Sequence, residues 1–173
     1  MRRTPAVKEI FIWAFWIGLA IMFSVFLNSY VLVNAQVITG SMEGTIMTRD
    51  RVFGLRFFDT PQRGDIIVFE SPLPQYFNDP FVKRVVGLPG EQIAIFSGVL
   101  HIDGVPLPES YASQSRRDFA PIIVPDGHFF VMGDNRNFSR DSREWGPIAA
   151  ESIIGKIHIT FSPRPVIIAS HTY

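Results

Sequence analysis

From Ile10 to Leu27 the chain reads IFIWAFWIGLAIMFSVFL, with Ser24 as its one polar side chain. No charge interrupts the sequence between Glu9 and Glu43. A helix needs about 20 apolar residues to cross the hydrocarbon core of a bilayer, and this run, extended through Val31-Leu32-Val33, is long enough. The buried helix of a soluble domain is amphipathic, whereas this segment is apolar on every side. Residues 10–33 are therefore expected to span a membrane as one helix. Arg2, Arg3 and Lys8 precede the run and the first charge after it is acidic, so 1–9 should stay cytoplasmic and 34–173 lie outside. A cleavable signal sequence is the competing reading, since Val33-Asn34-Ala35 has small residues spaced for a cut before Gln36. The apolar run of such a signal is usually about 7–15 residues.

Past the anchor the period changes. Short runs rich in Val, Ile and Phe recur at Val52–Leu55, Ile66–Phe69, Val82–Leu88, Gln92–Phe96, Val99–Ile102, His128–Met132 and Ile153–Phe161. Turn residues separate them, notably Arg63-Gly64-Asp65, Leu88-Pro89-Gly90, Asp103-Gly104 and Pro125-Asp126-Gly127. Ser97-Gly98 is a two-residue hairpin signal of unspecified turn type. The expected fold is mainly β, an antiparallel-sheet domain with a small irregular or β excursion at about 104–126. Ser71–Pro80 reads as a loop and Pro106–Pro125 as irregular.

Composition closes several routes. Acidic and basic residues balance at 16 each, which offers no electrostatic case for a nucleic-acid partner. There is no cysteine, hence no thiol nucleophile, disulfide framework or cysteine-ligated zinc. The oxygen-rich run Gly133–Pro147 lacks the sixth-position glycine of an EF-hand loop. No metal or other cofactor is expected, and the sequence sets no oligomeric state.

Three features bear on chemistry. Lys83 lies within the strand pattern Phe81–Leu88, where alternation puts it on one face with Val85, and Arg84 on the other with Val82 and Val86. One of these adjacent cations must turn inward or sit at a sheet margin. An inward lysine loses solvation of its charged form and becomes a usable base; an edge lysine only discourages aggregation. Ser41, in Thr39-Gly40-Ser41-Met42, follows the membrane exit closely and needs a base to act as a nucleophile. Taken alone, a serine in such a Gly/Thr turn is more often an ordinary turn residue. None of His101, His128, His158 and His171 lies in a recognisable catalytic motif. In the polar run, Asp134, Arg136, Asp141 and Arg143 are expected to pair and lock a loop.

The blocks TGSMEGTI, RGDIIVF, VKRVVGLPGE and GDNRNFSRDSREWGP, in this order behind an N-terminal anchor, resemble those of bacterial type I signal peptidases, the Ser/Lys-dyad peptidase family S26. Only Ser71–Pro80 and Pro106–Pro125 carry no motif. The resemblance implies a serine endopeptidase of the plasma (inner) membrane that removes signal peptides from exported preproteins, cutting after small residues. By the same resemblance Ser41 is the nucleophile and Lys83 the general base. Thr39 joins the Ser41 N–H in the oxyanion hole, and Ser139 orients the lysine amine. Asp134, Arg136, Asp141 and Arg143 support the site, and Val37 and Val82 line shallow substrate pockets. Gly44 stands where the family usually has proline, which should loosen the turn after the nucleophile. A peptidase dedicated to one substrate, such as a pilin or conjugation protein, and a non-enzymatic partner-binding β-domain are the alternatives. Phe53, Phe57 and Phe58 are candidates to rest on the lipid bilayer or, equally, to be core residues.

Overall fold

The computed structural model describes residues 5–57, 59–74, 79–162 and 164–167. Phe58 and part of the 71–80 loop therefore lie outside the described residues, as does His171. The chain divides into two compact units, Met1–Leu32 and Val33–Tyr173.

The first unit is the helix α1, Pro5–Phe26, continued by one π-helical turn at Leu27–Val31. Proline at its start costs no hydrogen bond, because the first N–H groups of a helix have no internal acceptor. Large apolar side chains are exposed around its whole circumference, among them Phe11, Trp13, Ile17 and Met22. Residues Lys8–Val31 are long and apolar enough to cross a membrane. Helical structure ends at Val31, and the strand β1 begins at Leu32, inside the segment expected to be helical.

The second unit is built on antiparallel strands, as expected. After β1 (Leu32–Gln36) come β2 (Arg51–Leu55), β3 (Ile66–Phe69), β4 (Phe81–Gly87), β5 (Gln92–Phe96), β6 (Val99–Ile102), β7 (Val105–Pro106) and β8 (Phe119–Ile123). They are followed by β9 (His128–Met132), the one-turn helix α2 (Ser142–Trp145), β10 (Ile148–Ala149), β11 (Ile153–Ser162) and β12 (Arg164–Ile167). Among the described residues the main sheet runs β1-β2-β11-β3-β4-β9-β10, with β12 also paired to β11. A second sheet, β7-β6-β5-β8, is inserted between the sequence-distant neighbours β4 and β9.

Alternation along β3 sends Ile66 and Val68 into one apolar cluster with Val37, Met42 and Ile157, and Ile67 and Phe69 into another with Val85, Phe129 and Val131. The main sheet is thus covered on both faces here, and β3 is buried throughout. A third cluster, around Val86, Ile93, Ile95 and Phe130, joins the second sheet to the first. The Ser97-Gly98 hairpin has positive φ at both residues, 50° and 79°, the signature of a type I′ turn.

The excursion differs from expectation. It spans the whole second sheet, β5 to β8, and β8 lies within the stretch read as irregular. Pro121 disguises that strand, but β8 is an edge strand of its sheet, where proline is tolerated.

Candidate active site

Ser41 sits in a 3-10 turn, Gly40–Met42, on the connection from β1 to β2. Met42 and Ile46 plug this connection into the first apolar cluster, and the Thr45 and Ile46 N–H groups both donate to the Met42 carbonyl. The Ser41 N–H belongs to the first turn of a helix, where donors have no intrahelical acceptor. Its carbonyl accepts from the Asn135 N–H at 3.0 Å, and the Gly40 carbonyl accepts from Asn135 Nδ2 at 3.1 Å. Asn135 was not singled out by sequence reading; its one signal is membership of the polar run after β9. Gly133 presses against the Ser41 carbonyl and the Ser139 side chain, leaving no room for a Cβ.

Lys83 comes from the middle of β4 and is 4 % exposed. Its Nζ donates to Ser41 Oγ at 2.6 Å. The Phe81 ring lies 5.7 Å from the same nitrogen. Burial pushes the Lys83 amine down to about 8, opposed by the charges of Asp141 and Asp134 and aided by that of Arg143. No carboxylate forms a salt bridge with Lys83 among the described residues. Thr39 Oγ1 is 3.3 Å from Ser41 Oγ, and no histidine among the described residues hydrogen-bonds Ser41.

Arg84 is 1 % exposed, so both cations are buried rather than one. The sheet is covered on its two faces, a circumstance that alternation alone does not reveal. Arg84 donates from Nε and Nη2 to the two carboxylate oxygens of Asp134 at 2.9 and 2.7 Å, and from Nη1 to the Gly64 carbonyl at 2.8 Å. Thr45 Oγ1 donates to the same carboxylate at 2.5 Å.

The remaining expected residues fall as follows. Asp141 pairs with Arg143 and also accepts from the Gly133 N–H. Asp134 and Arg136 do not pair with each other. Arg136 instead donates to Glu109 at 2.6 and 2.5 Å, a partner 27 residues away that no local spacing marks. Ser139 Oγ donates to the Arg140 carbonyl at 3.4 Å and does not reach the lysine amine, contrary to the orienting role expected of it. Val37 and Val82 enter the same apolar cluster, Val37 buried and Val82 partly so. Gly44 adopts φ 105°, which proline cannot, and the turn it serves is tied by Thr45 to Asp134 rather than loosened.

Residues 10–162 match the family model for signal peptidase, peptidase S26. A signal peptidase I of Leptolyngbya laminosa is 38% identical over 157 residues, covering 85% of this chain and 77% of that protein. A signal peptidase I of Bacillus amyloliquefaciens is 30% identical, covering 93% and 92% of the two chains. Among solved structures, a signal peptidase I from Enterococcus faecalis V583 aligns with TM-score 0.51 and 34% identity over 58% of this chain and 98% of the other.

Proposed function

The chain belongs to the signal peptidase family S26, and from that membership we propose that it removes signal peptides as a serine endopeptidase whose nucleophile is Ser41 and whose general base is Lys83. The observation that carries the residue assignment is the 2.6 Å approach of a buried lysine amine to a serine hydroxyl.

The chemistry follows from the surroundings of that contact. Burial lowers the cost of removing a proton from Lys83, so a neutral amine exists at accessible pH. It takes the hydroxyl proton as Ser41 Oγ bonds to the scissile carbonyl carbon. The carbonyl oxygen becomes an oxyanion, met by the free N–H of Ser41 and by the hydroxyl of Thr39. Collapse breaks the peptide bond, and the departing amine takes the proton back from Lys83. Water, deprotonated by the same lysine, then attacks the ester, releasing the cleaved segment as a carboxylate and restoring Ser41. Asp141 and Arg143 hold the Gly133 backbone that backs the nucleophile, and Asp134 and Arg136 hold the loop from the other side.

Substrate choice follows from position. Val37 is close in sequence to Ser41 and Val82 precedes Lys83, and both belong to one apolar cluster, which supports the reading that short apolar side chains near the dyad select small residues before the cut. Ser41 lies ten residues beyond Val31, the end of the candidate span, so a precursor leaving the bilayer meets it early. The residues after the span face outward from the plasma membrane, and the basic N-terminal end stays inside.

The test is the pH dependence of Ser41 acylation by a signal-peptide ester, with Lys83→Arg alongside. The rate should rise through an apparent pKa near 8 in the parent protein. Arginine stays protonated, so the variant should not acylate at any pH. Acylation at parental rate in Lys83→Arg removes lysine from the mechanism.

A further inference from the structure

The connection between β7 and β8, residues 107–118, carries no motif, yet it makes the densest polar contacts to the loop behind the nucleophile. Glu109 receives both terminal amines of Arg136, in a pair whose side chains are 8 % and 2 % exposed. Tyr111 Oη donates to the same Glu109 carboxylate at 2.7 Å, and its ring lies 4.0 Å from the Arg84 guanidinium carbon. Ser113 Oγ accepts from the Arg136 N–H at 2.9 Å, and the Ser113 N–H donates to the Asp134 carbonyl at 2.9 Å. Arg136 Nε in turn donates to the Gly133 carbonyl at 3.0 Å.

These bonds have one geometric consequence. Asn135 is the residue that grips the backbone of Gly40 and Ser41, and its two chain neighbours, Asp134 and Arg136, are both gripped by Ser113. We propose that residues 107–118 are a positioning strap for the reaction, with Glu109 and Tyr111 as the specific positioning residues. The proposal rests on Ser41 being the nucleophile.

Glu109 fixes Arg136, and through it the carbonyl of Gly133, the residue packed against the Ser41 backbone. The Tyr111 ring caps the Arg84–Asp134 pair, a cation–π contact that excludes water from two buried charges. The Tyr111 carbonyl also borders Gly44, the turn that follows the nucleophile. The strap therefore meets the nucleophile's surroundings at three separate points while contacting neither Ser41 nor Lys83. Displacing a reacting group by about 1 Å costs on the order of a hundredfold in rate, so the strap should act on turnover rather than on binding.

The test uses the full-length chain in detergent micelles and a fluorogenic signal-sequence peptide, reading kcat and KM separately, with unfolding followed in parallel. Glu109→Gln and Tyr111→Leu should each lower kcat by roughly ten- to a hundredfold with KM unchanged. Tyr111→Phe keeps the ring over Arg84 and should recover most of the Tyr111→Leu loss. Parental kcat in folded Glu109→Gln and Tyr111→Leu, or a rise in KM at constant kcat, overturns the strap. Equal impairment in Tyr111→Phe and Tyr111→Leu also overturns the ring's part in it. Should Tyr111→Leu not fold, Glu109→Gln alone decides. Ser41→Ala run beside them separates the two readings: cleavage by that variant defeats the nucleophile assignment, whereas its inactivity beside unimpaired strap variants defeats only the strap.

Discussion

Lys83 and Arg84 are neighbours on one strand, both almost wholly buried, and their surroundings treat them in opposite ways. Around Arg84 partners gather on several sides: a carboxylate taken in bidentate fashion, a backbone carbonyl, a hydroxyl and an aromatic face. Around Lys83 there is a serine hydroxyl, the Phe81 ring and no paired carboxylate among the described residues. A buried charge with partners holds its place, whereas one without them is pressed to give up its proton. The same burial therefore yields a fixed pillar at 84 and, on the proposed reading, a base at 83.

The largest effect that tests this contrast is on turnover. Ser41→Ala and Lys83→Met should each lower cleavage of a secretory precursor by on the order of 10⁴ to 10⁶, measured as product per enzyme over long incubations. Activity within tenfold of the parent would make the isolation of Lys83 a chemical accident. Next comes stability at the neighbouring position. Arg84→Met strands the Asp134 carboxylate in the core and should cost about 3–5 kcal/mol in denaturant unfolding. Adding Asp134→Leu should recover most of that loss, and failure to do so would deny that the two residues balance each other.

Lys83→Met sharpens the comparison from the opposite side. With its pKa lowered from 10.5 to about 8, folded Lys83 binds fewer protons than the unfolded chain between those values. The stability of the parent therefore rises with pH across that window, and below pH 8 it bears the full cost of a buried charge. At pH 7 the inactive methionine variant should be more stable than the parent by up to about 3 kcal/mol, the advantage fading as pH climbs toward 10.5. Equal stability at all pH values would mean that the amine is not strained by burial. The smallest effect belongs to an ion pair in water. Arg140 and Glu144 are about half exposed, and Arg140→Ala should change unfolding free energy by less than about 0.5 kcal/mol.

The seven strands read from the sequence all exist, because alternating β-branched and aromatic runs bounded by glycine or proline are local signals. Of the strands that escaped, β1 lay at the end of the segment read as membrane-spanning helix, others were short, and β8 carried a proline at a sheet edge. The inward lysine was legible from alternation, but the burial of Arg84 was not, since one strand's pattern does not say whether both faces of a sheet are covered. Ion pairs were legible only where they are local. Asp141 with Arg143 is two residues apart, while Arg84 with Asp134 spans 50 and Glu109 with Arg136 spans 27. The lysine-orienting role given to Ser139 came from resemblance, and the hydroxyl points instead at its neighbour's carbonyl.

The insertion of β5 to β8 between β4 and β9 also bears on when Ser41 and Lys83 can first meet. Ser41 and Lys83 lie 42 residues apart, and the loop that holds the serine follows β9, which pairs with β4 only after the whole inserted sheet has been bridged. Such non-local pairings close late, because loop entropy must be met before the contacts reward it. Until then Lys83 is a hydrated ammonium with no capacity as a base, and Ser41 an ordinary alcohol. On the proposed dyad, a half-folded copy is consequently without peptidase activity, and cleavage waits on completion of the sheet.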